Sequence, residues 1–289
     1  MTQSNKKGSA MPSSPLISPE HLHDWLNNAT DLVVLDVRWS LTEGACRSAY
    51  ECGHIPSAQF IDLETQLSAE PGTKGRHPLP AQSVFVEAMR AAGVNDTTTV
   101  VCYDAKSSTS AARAWWLLRY FGHQRSYVLD GGLAAWQRLG FRITSRRQKP
   151  DPGDFSVRGS RARTLQPPAV LGFAADHILL DARDEERYTG DIEPVDSVAG
   201  HIPGAHSAPT KNNLADDGTF LPATQLRYRF KHLGAEPGSQ VASYCGSGVT
   251  AAHQILALEV AGIDAALYPG SWSEWITDPN RPVATGPRA

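Results

Sequence analysis

Leu35-Asp36-Val37-Arg38 is followed by Gly53-His54-Ile55-Pro56, and the same pair of motifs returns as Leu180-Asp181-Ala182-Arg183 and Gly200-His201-Ile202-Pro203. Asp36 and Asp181 lie 145 residues apart, His54 and His201 147, Tyr103 and Tyr244 141, Trp136 and Trp275 139. Four landmarks recurring in one order at nearly one offset mean two copies of one domain. Each copy has strand-like apolar runs, at 32–35 and 99–103 and again at 178–180 and 241–244, alternating with helical patterns such as 111–121 and 251–261. Strand and helix in alternation imply an α/β fold, two tandem domains, each a mainly parallel sheet covered by helices on both faces. The stretch 142–168 is rich in Pro, Gly, Arg and Lys and has no clear period. The division expected is a tail at 1–14, a first domain at 15–145, a linker at 146–165 and a second domain at 166–289.

A chain of 289 residues, 41% hydrophobic and 20% charged, can bury two medium cores. A net charge of −3 offers no basic excess to neutralise phosphates, so nucleic acid is not an expected partner. Residues 1–14 include Lys6 and Lys7 but no apolar stretch, so they read as a disordered tail, and neither signal peptide nor membrane contact is expected. Cys46, Cys52, Cys102 and Cys245 form no C-x-x-C pair, which points to a reducing compartment, the cytoplasm. Cys46, Cys52 and His54 lack a fourth ligand nearby, so no metal is expected. No dinucleotide or phosphate-binding glycine loop is present, and no dissociable cofactor is expected.

The loops after the third pair of landmarks separate the two copies. The second copy runs from strand 241–244 straight into Cys245-Gly246-Ser247-Gly248-Val249-Thr250 and on into a helix. A thiol is thus placed at the carboxyl end of a parallel strand, where open α/β sheets bind ligands. A helix N-terminus and successive backbone N–H groups there stabilise an anion, whether thiolate or persulfide. Gly246 and Gly248, lacking Cβ, let the loop curl its amides around the sulfur. The first copy has Asp104 where the second has Cys245, so only one copy keeps a nucleophile.

The tandem copies, the Gly-His-Ile-Pro turns, the loop 245–250 and the terminal Gly270-Ser271-Trp272-Ser273-Glu274-Trp275 resemble two-domain rhodanese-like sulfurtransferases from about Ser18 to Gly286. The loop carries no Arg or Lys and is similar to that of the members acting on 3-mercaptopyruvate, whereas those acting on thiosulfate carry basic loop side chains. The resemblance implies a double displacement. Cys245 takes sulfur from a small donor, holds it as a persulfide and passes it to cyanide or a thiol acceptor, of which a thioredoxin-like protein is one. It also implies roles for single residues. Arg187 pairs with the donor carboxylate, and Arg113 faces the site from the first domain. Ser247, His77 and an acid, Asp62 or Glu64, form a serine-protease-like group, and Trp39 lies close to the sulfur. Each has a plainer reading: a surface charge for Arg187, a helix ion pair for Arg113, a loop histidine for His77, core filling for Trp39. Gly246, Gly248, Val249 and Thr250 complete the loop.

Two departures weaken the choice of donor. Residues 193–199 lack a second arginine common in the mercaptopyruvate members, and Pro269 stands where an acid is usual. Thiosulfate is the alternative donor, and a persulfide carrier that docks on a partner is the alternative without turnover. A Cys-dependent phosphatase would need an arginine six positions after the nucleophile, where this chain has Ala251.

Overall fold

The computed structural model describes residues 12–29, 31–160 and 162–287; the tail expected at 1–14 falls outside the described residues up to Met11. Each repeat forms a five-stranded parallel sheet. The first runs Leu16–Ile17, Ser126–Leu129, Thr99–Tyr103, Leu32–Asp36, Gln59–Phe60; the second runs Arg163–Thr164, Ala265–Leu267, Val241–Tyr244, Ile178–Asp181, Ala205–Ser207. With strands counted in chain order, both sheets read 1-5-4-2-3. The central strands Thr99–Tyr103 and Val241–Tyr244 are buried at every position, as a parallel strand covered on both faces must be.

The repeated motifs form the same polar knot twice. The Arg38 guanidinium grips Asp36 and donates to the Gly53 carbonyl at 2.8 Å, and Arg183 does the same to Asp181 and Gly200. His54 stacks on Tyr50 at 4.0 Å and bonds its carbonyl through Nδ1, as His201 does with Tyr188 at 3.8 Å. Buried charges are tolerable when paired and hydrogen-bonded in this way. The motifs that reveal the duplication are therefore structural.

The boundary expected at 166 lies earlier in the structure, because Arg163–Thr164 already form the edge strand of the second sheet, paired with Ala265–Leu267. Much of the expected linker is a strap on the first domain. Phe155 buries its ring, and the Phe155 and Arg158 N–H groups donate to the carbonyls of Val94 and Phe121. A two-residue edge strand made of Arg163 and Thr164 has no apolar run to announce it.

Helices Thr109–Tyr120 and Val249–Val260 pack against each other across the domain boundary. Both are buried on nearly every face, and one apolar cluster runs through Trp115, Trp116 and Leu118 into Ile255 and Leu258. A helix apolar all round needs cover on all sides, and here each domain supplies it to the other. The loops leading into these helices therefore meet in one interdomain cleft. Among the described residues no helix is long and apolar enough to cross a membrane.

Candidate active site

The two loops share an architecture and differ in the group they enclose. In the first domain the Asp104 carboxylate is buried and accepts from the backbone N–H groups of Lys106, Ser108, Ser110 and Ala111 and from the Ser110 hydroxyl. Burial raises its pKa, while the loop amides and Ser110 pull it back. Neither helix has a side-chain N-cap, and both N-cap residues, Ser108 and Gly248, are left-handed, with φ of 59° and 81°. The first-turn N–H groups thus await an anion. Asp104 supplies one from within the chain; its counterpart is Cys245.

Cys245 is 2% exposed and lines a cleft of ≈ 320 Å³ between the domains. The Gly248 N–H donates to its sulfur at 3.1 Å. The loop is fixed from below: Cys245 N–H donates to Ser271 Oγ, and the carbonyls of Cys245 and Gly246 accept from Trp272 and Ser273. Gly248 has a backbone that only glycine adopts readily, and a Cβ there would stand 2.2 Å from the Pro269 carbonyl oxygen. Gly246 makes room of another kind. Its φ is not left-handed, but a Cβ would lie 3.1 Å from Arg76 Nη2. Val249 and Thr250 complete the wall.

His77 reaches Ser247 across the boundary, with Nδ1 to Oγ at 2.7 Å. Burial, with the charges of Arg113 and Arg76, pulls the pKa of His77 down to about 4, so the ring is neutral at pH 7. Trp39 lines the cleft and meets His77 edge-on at 5.4 Å. The third member of the expected group is not assembled. Asp62 caps helix Leu63–Gln66, accepting from the Glu64 and Thr65 N–H groups, and Glu64 accepts from the Trp39 indole at 3.4 Å. Neither carboxylate hydrogen-bonds His77; Glu64 touches it only through Trp39.

Arg113 needs correcting as a donor-binding group. It is fully buried and spends its donors on the carbonyls of Leu67, His77, Pro78 and Gly248. Burial lowers its pKa to about 10, the Cys245 sulfur opposing that shift. It pins the His77 segment and the loop from behind and presents nothing to the cleft. Arg187 does face the cleft, held by Glu193 and by Asp196 Oδ2 at 2.8 Å. Arg76 and Asp196 join the site without a sequence motif to mark them. Arg76 Nη1 bonds Asp196 Oδ1 at 2.7 Å, and the only local signal was adjacency to His77.

Comparison with known proteins agrees with this geometry. The model for the Rhodanese-like domain matches residues 18–139 and 171–278. The chain is 46% identical over 287 residues to a Pseudomonas aeruginosa protein whose name gives 3-mercaptopyruvate sulfurtransferase, covering 96% of this chain and 100% of the relative. It is 42% identical over 275 residues to SseB of Mycobacterium tuberculosis, whose name gives thiosulfate sulfurtransferase, covering 94% and 97%. Both names are provisional assignments. The crystal structure of SseA from Escherichia coli, described among 3-mercaptopyruvate sulfotransferases, superposes with a TM-score of 0.80 at 30% identity, covering 90% of this chain and 100% of that one. With two matched domains, two copies of one sheet and relatives alike from end to end, the chain belongs to the rhodanese family.

Proposed function

We propose that the chain is a sulfurtransferase that moves sulfur from 3-mercaptopyruvate through a persulfide on Cys245 to a thiol or cyanide. One observation carries this reading: the loop that encloses a buried carboxylate at Asp104 encloses a thiol at Cys245, with a peptide N–H already on the sulfur. A cradle that accommodates a carboxylate suits a thiolate and, after transfer, a persulfide anion.

The Cys245 thiolate attacks the donor sulfur, and the donor C–S bond breaks with its electron pair passing to C3 as the enolate of pyruvate. The proton carried by the donor thiol ends on C3, giving pyruvate and leaving the persulfide anionic. Neutral His77, bonded to Ser247 at 2.7 Å, makes that pair the relay for this proton. Arg187 holds the donor carboxylate. The acceptor thiolate then attacks the outer sulfur and regenerates Cys245. Thiol acceptors, including thioredoxin-like proteins, and a cytoplasmic setting fit four free cysteines.

Thiosulfate is the second reading, favoured by Arg187, which can bind any small anion, and by the name of the SseB relative. Initial rates with each donor and cyanide decide between them, with pyruvate release counted against thiocyanate formed. Equal amounts of the two products from mercaptopyruvate, at a kcat/KM above that for thiosulfate, support the first reading. Faster turnover of thiosulfate overturns the donor assignment, and no turnover of either overturns the reaction.

A further inference from the structure

We infer that Arg76, contributed by the first domain, is the second cation that binds the donor carboxylate, with Asp196 as its positioning residue. The inference rests on the mercaptopyruvate reading for the identity of the donor; the anion site itself follows from geometry. Residues 193–199 contain no arginine to accompany Arg187. Asp196 occupies that segment instead, its side chain 4% exposed, and each of its oxygens takes one guanidinium: Oδ1 that of Arg76 at 2.7 Å, Oδ2 that of Arg187 at 2.8 Å. One carboxylate thus holds arginines from two domains side by side.

The donors left over point the same way. Arg187 commits Nε and Nη2 to Glu193 and Asp196, while Arg76 commits Nη1 to Asp196. Arg187 Nη1 and Arg76 Nη2 have no protein partner among the described residues, and they lie 3.6 and 3.1 Å from the point where a Gly246 Cβ would stand. Two free guanidinium nitrogens therefore converge on one spot next to the nucleophile. A carboxylate presents two oxygens, one for each, in charge-assisted hydrogen bonds. Both arginines line the cleft with Cys245.

The backbone around Arg76 is built to bring it there. Gly75 has φ of 100°, and a Cβ would stand 2.7 Å from the Gly270 carbonyl oxygen, so only glycine allows this approach to the second domain. The next N–H, that of Arg76, donates to Ser273 Oγ at 3.0 Å. Arg76 Nε is buried without a partner among the described residues, so its ion pair with Asp196 leaves the guanidinium only partly satisfied.

The test is calorimetric titration of the Cys245→Ser protein with pyruvate and with its uncharged amide, pyruvamide, in four backgrounds: otherwise wild type, Arg76→Ala, Arg76→Lys and Ser273→Ala. Arg76→Ala should weaken pyruvate roughly 10- to 100-fold, the span of one charge-assisted hydrogen bond, and leave pyruvamide within about twofold. Arg76→Lys should recover part of the loss, and Ser273→Ala, which removes the main-chain tether and the Ser273–Gly270 hydrogen bond but no guanidinium contact, should retain most of the affinity. Equal weakening of both ligands, an unchanged pyruvate affinity, a Ser273→Ala loss as large as that of Arg76→Ala, or no pyruvate binding in the parent each overturns the inference. Arg76-dependent pyruvate binding in a protein whose Cys245 form transfers no sulfur supports the anion site while overturning the proposed reaction.

Discussion

The two glycines of the loop should fail in opposite ways when replaced by alanine. At Gly248 the backbone is left-handed, with φ of 81°, which costs an L-residue about 1–2 kcal/mol. The new methyl would also stand 2.2 Å from the Pro269 carbonyl oxygen, a backbone atom that cannot swing aside. Overpacking of that kind costs roughly 1–3 kcal/mol more. Gly248→Ala should therefore destabilise by about 2–5 kcal/mol, lower Tm by ~5–15 °C and slow persulfide formation, because the N–H on the sulfur moves with the loop. At Gly246 no left-handed strain exists, and the methyl meets only the end of the Arg76 side chain at 3.1 Å. Gly246→Ala should keep Tm within about 2 °C while raising the donor KM. Calorimetric melting and single-turnover pyruvate release measure the two effects. A Gly248→Ala protein with unchanged Tm and burst rate would refute the reasoning, as would a Gly246→Ala protein that melts early.

Three further outcomes follow from buried groups. Ser247→Ala should reduce kcat with mercaptopyruvate by roughly 10² or more and spare discharge of a preformed persulfide to cyanide, a split that stopped-flow kinetics resolves. Burial pulls His77 down to about 4 and His253 to about 3, below the unfolded value of 6.5, so the unfolded chain binds more protons between those limits. Their contribution is whole above pH 6.5 and is lost as pH falls toward 4 and then 3, at about 3–5 kcal/mol per ring; a urea midpoint flat from pH 6.5 to 4.5 would contradict this. Asp104→Ala strands the buried N–H groups of Ser108, Ser110 and Ala111 and should cost on the order of 3 kcal/mol or more in urea unfolding, with the kcat of the refolded enzyme held within about twofold.

The duplicated scaffold was legible because motif spacing survives in sequence and because parallel strands buried on both faces leave solid apolar runs such as 99–103. The nucleophile was legible from the contrast of Cys245 with Asp104. What the sequence does not carry is the approach of one domain to the other. Arg76 looks like any exposed loop arginine until Gly75 is seen against the Gly270 carbonyl. Arg113 sits in a helix where a charged residue suggests solvent, yet tertiary burial turns all its donors to carbonyls. Asp62 and Glu64 are alternative partners for His77 in the sequence, yet a local signal speaks against Asp62: an acid before Leu63-Glu64-Thr65-Gln66 is a helix cap, and the Gln66 side chain closes it by accepting from the Asp62 N–H.

A peptide cradle in the second domain that holds charged sulfur is the claim on which the rest depends. Intact-mass spectrometry after brief exposure to mercaptopyruvate, without acceptor, probes it most directly, followed by peptide mapping under non-reducing conditions. One added sulfur atom per chain, on the peptide containing Cys245 and absent from Cys245→Ser, is the predicted result. Sulfur found on Cys46 or Cys52, or no mass gain in a folded protein, would contradict it.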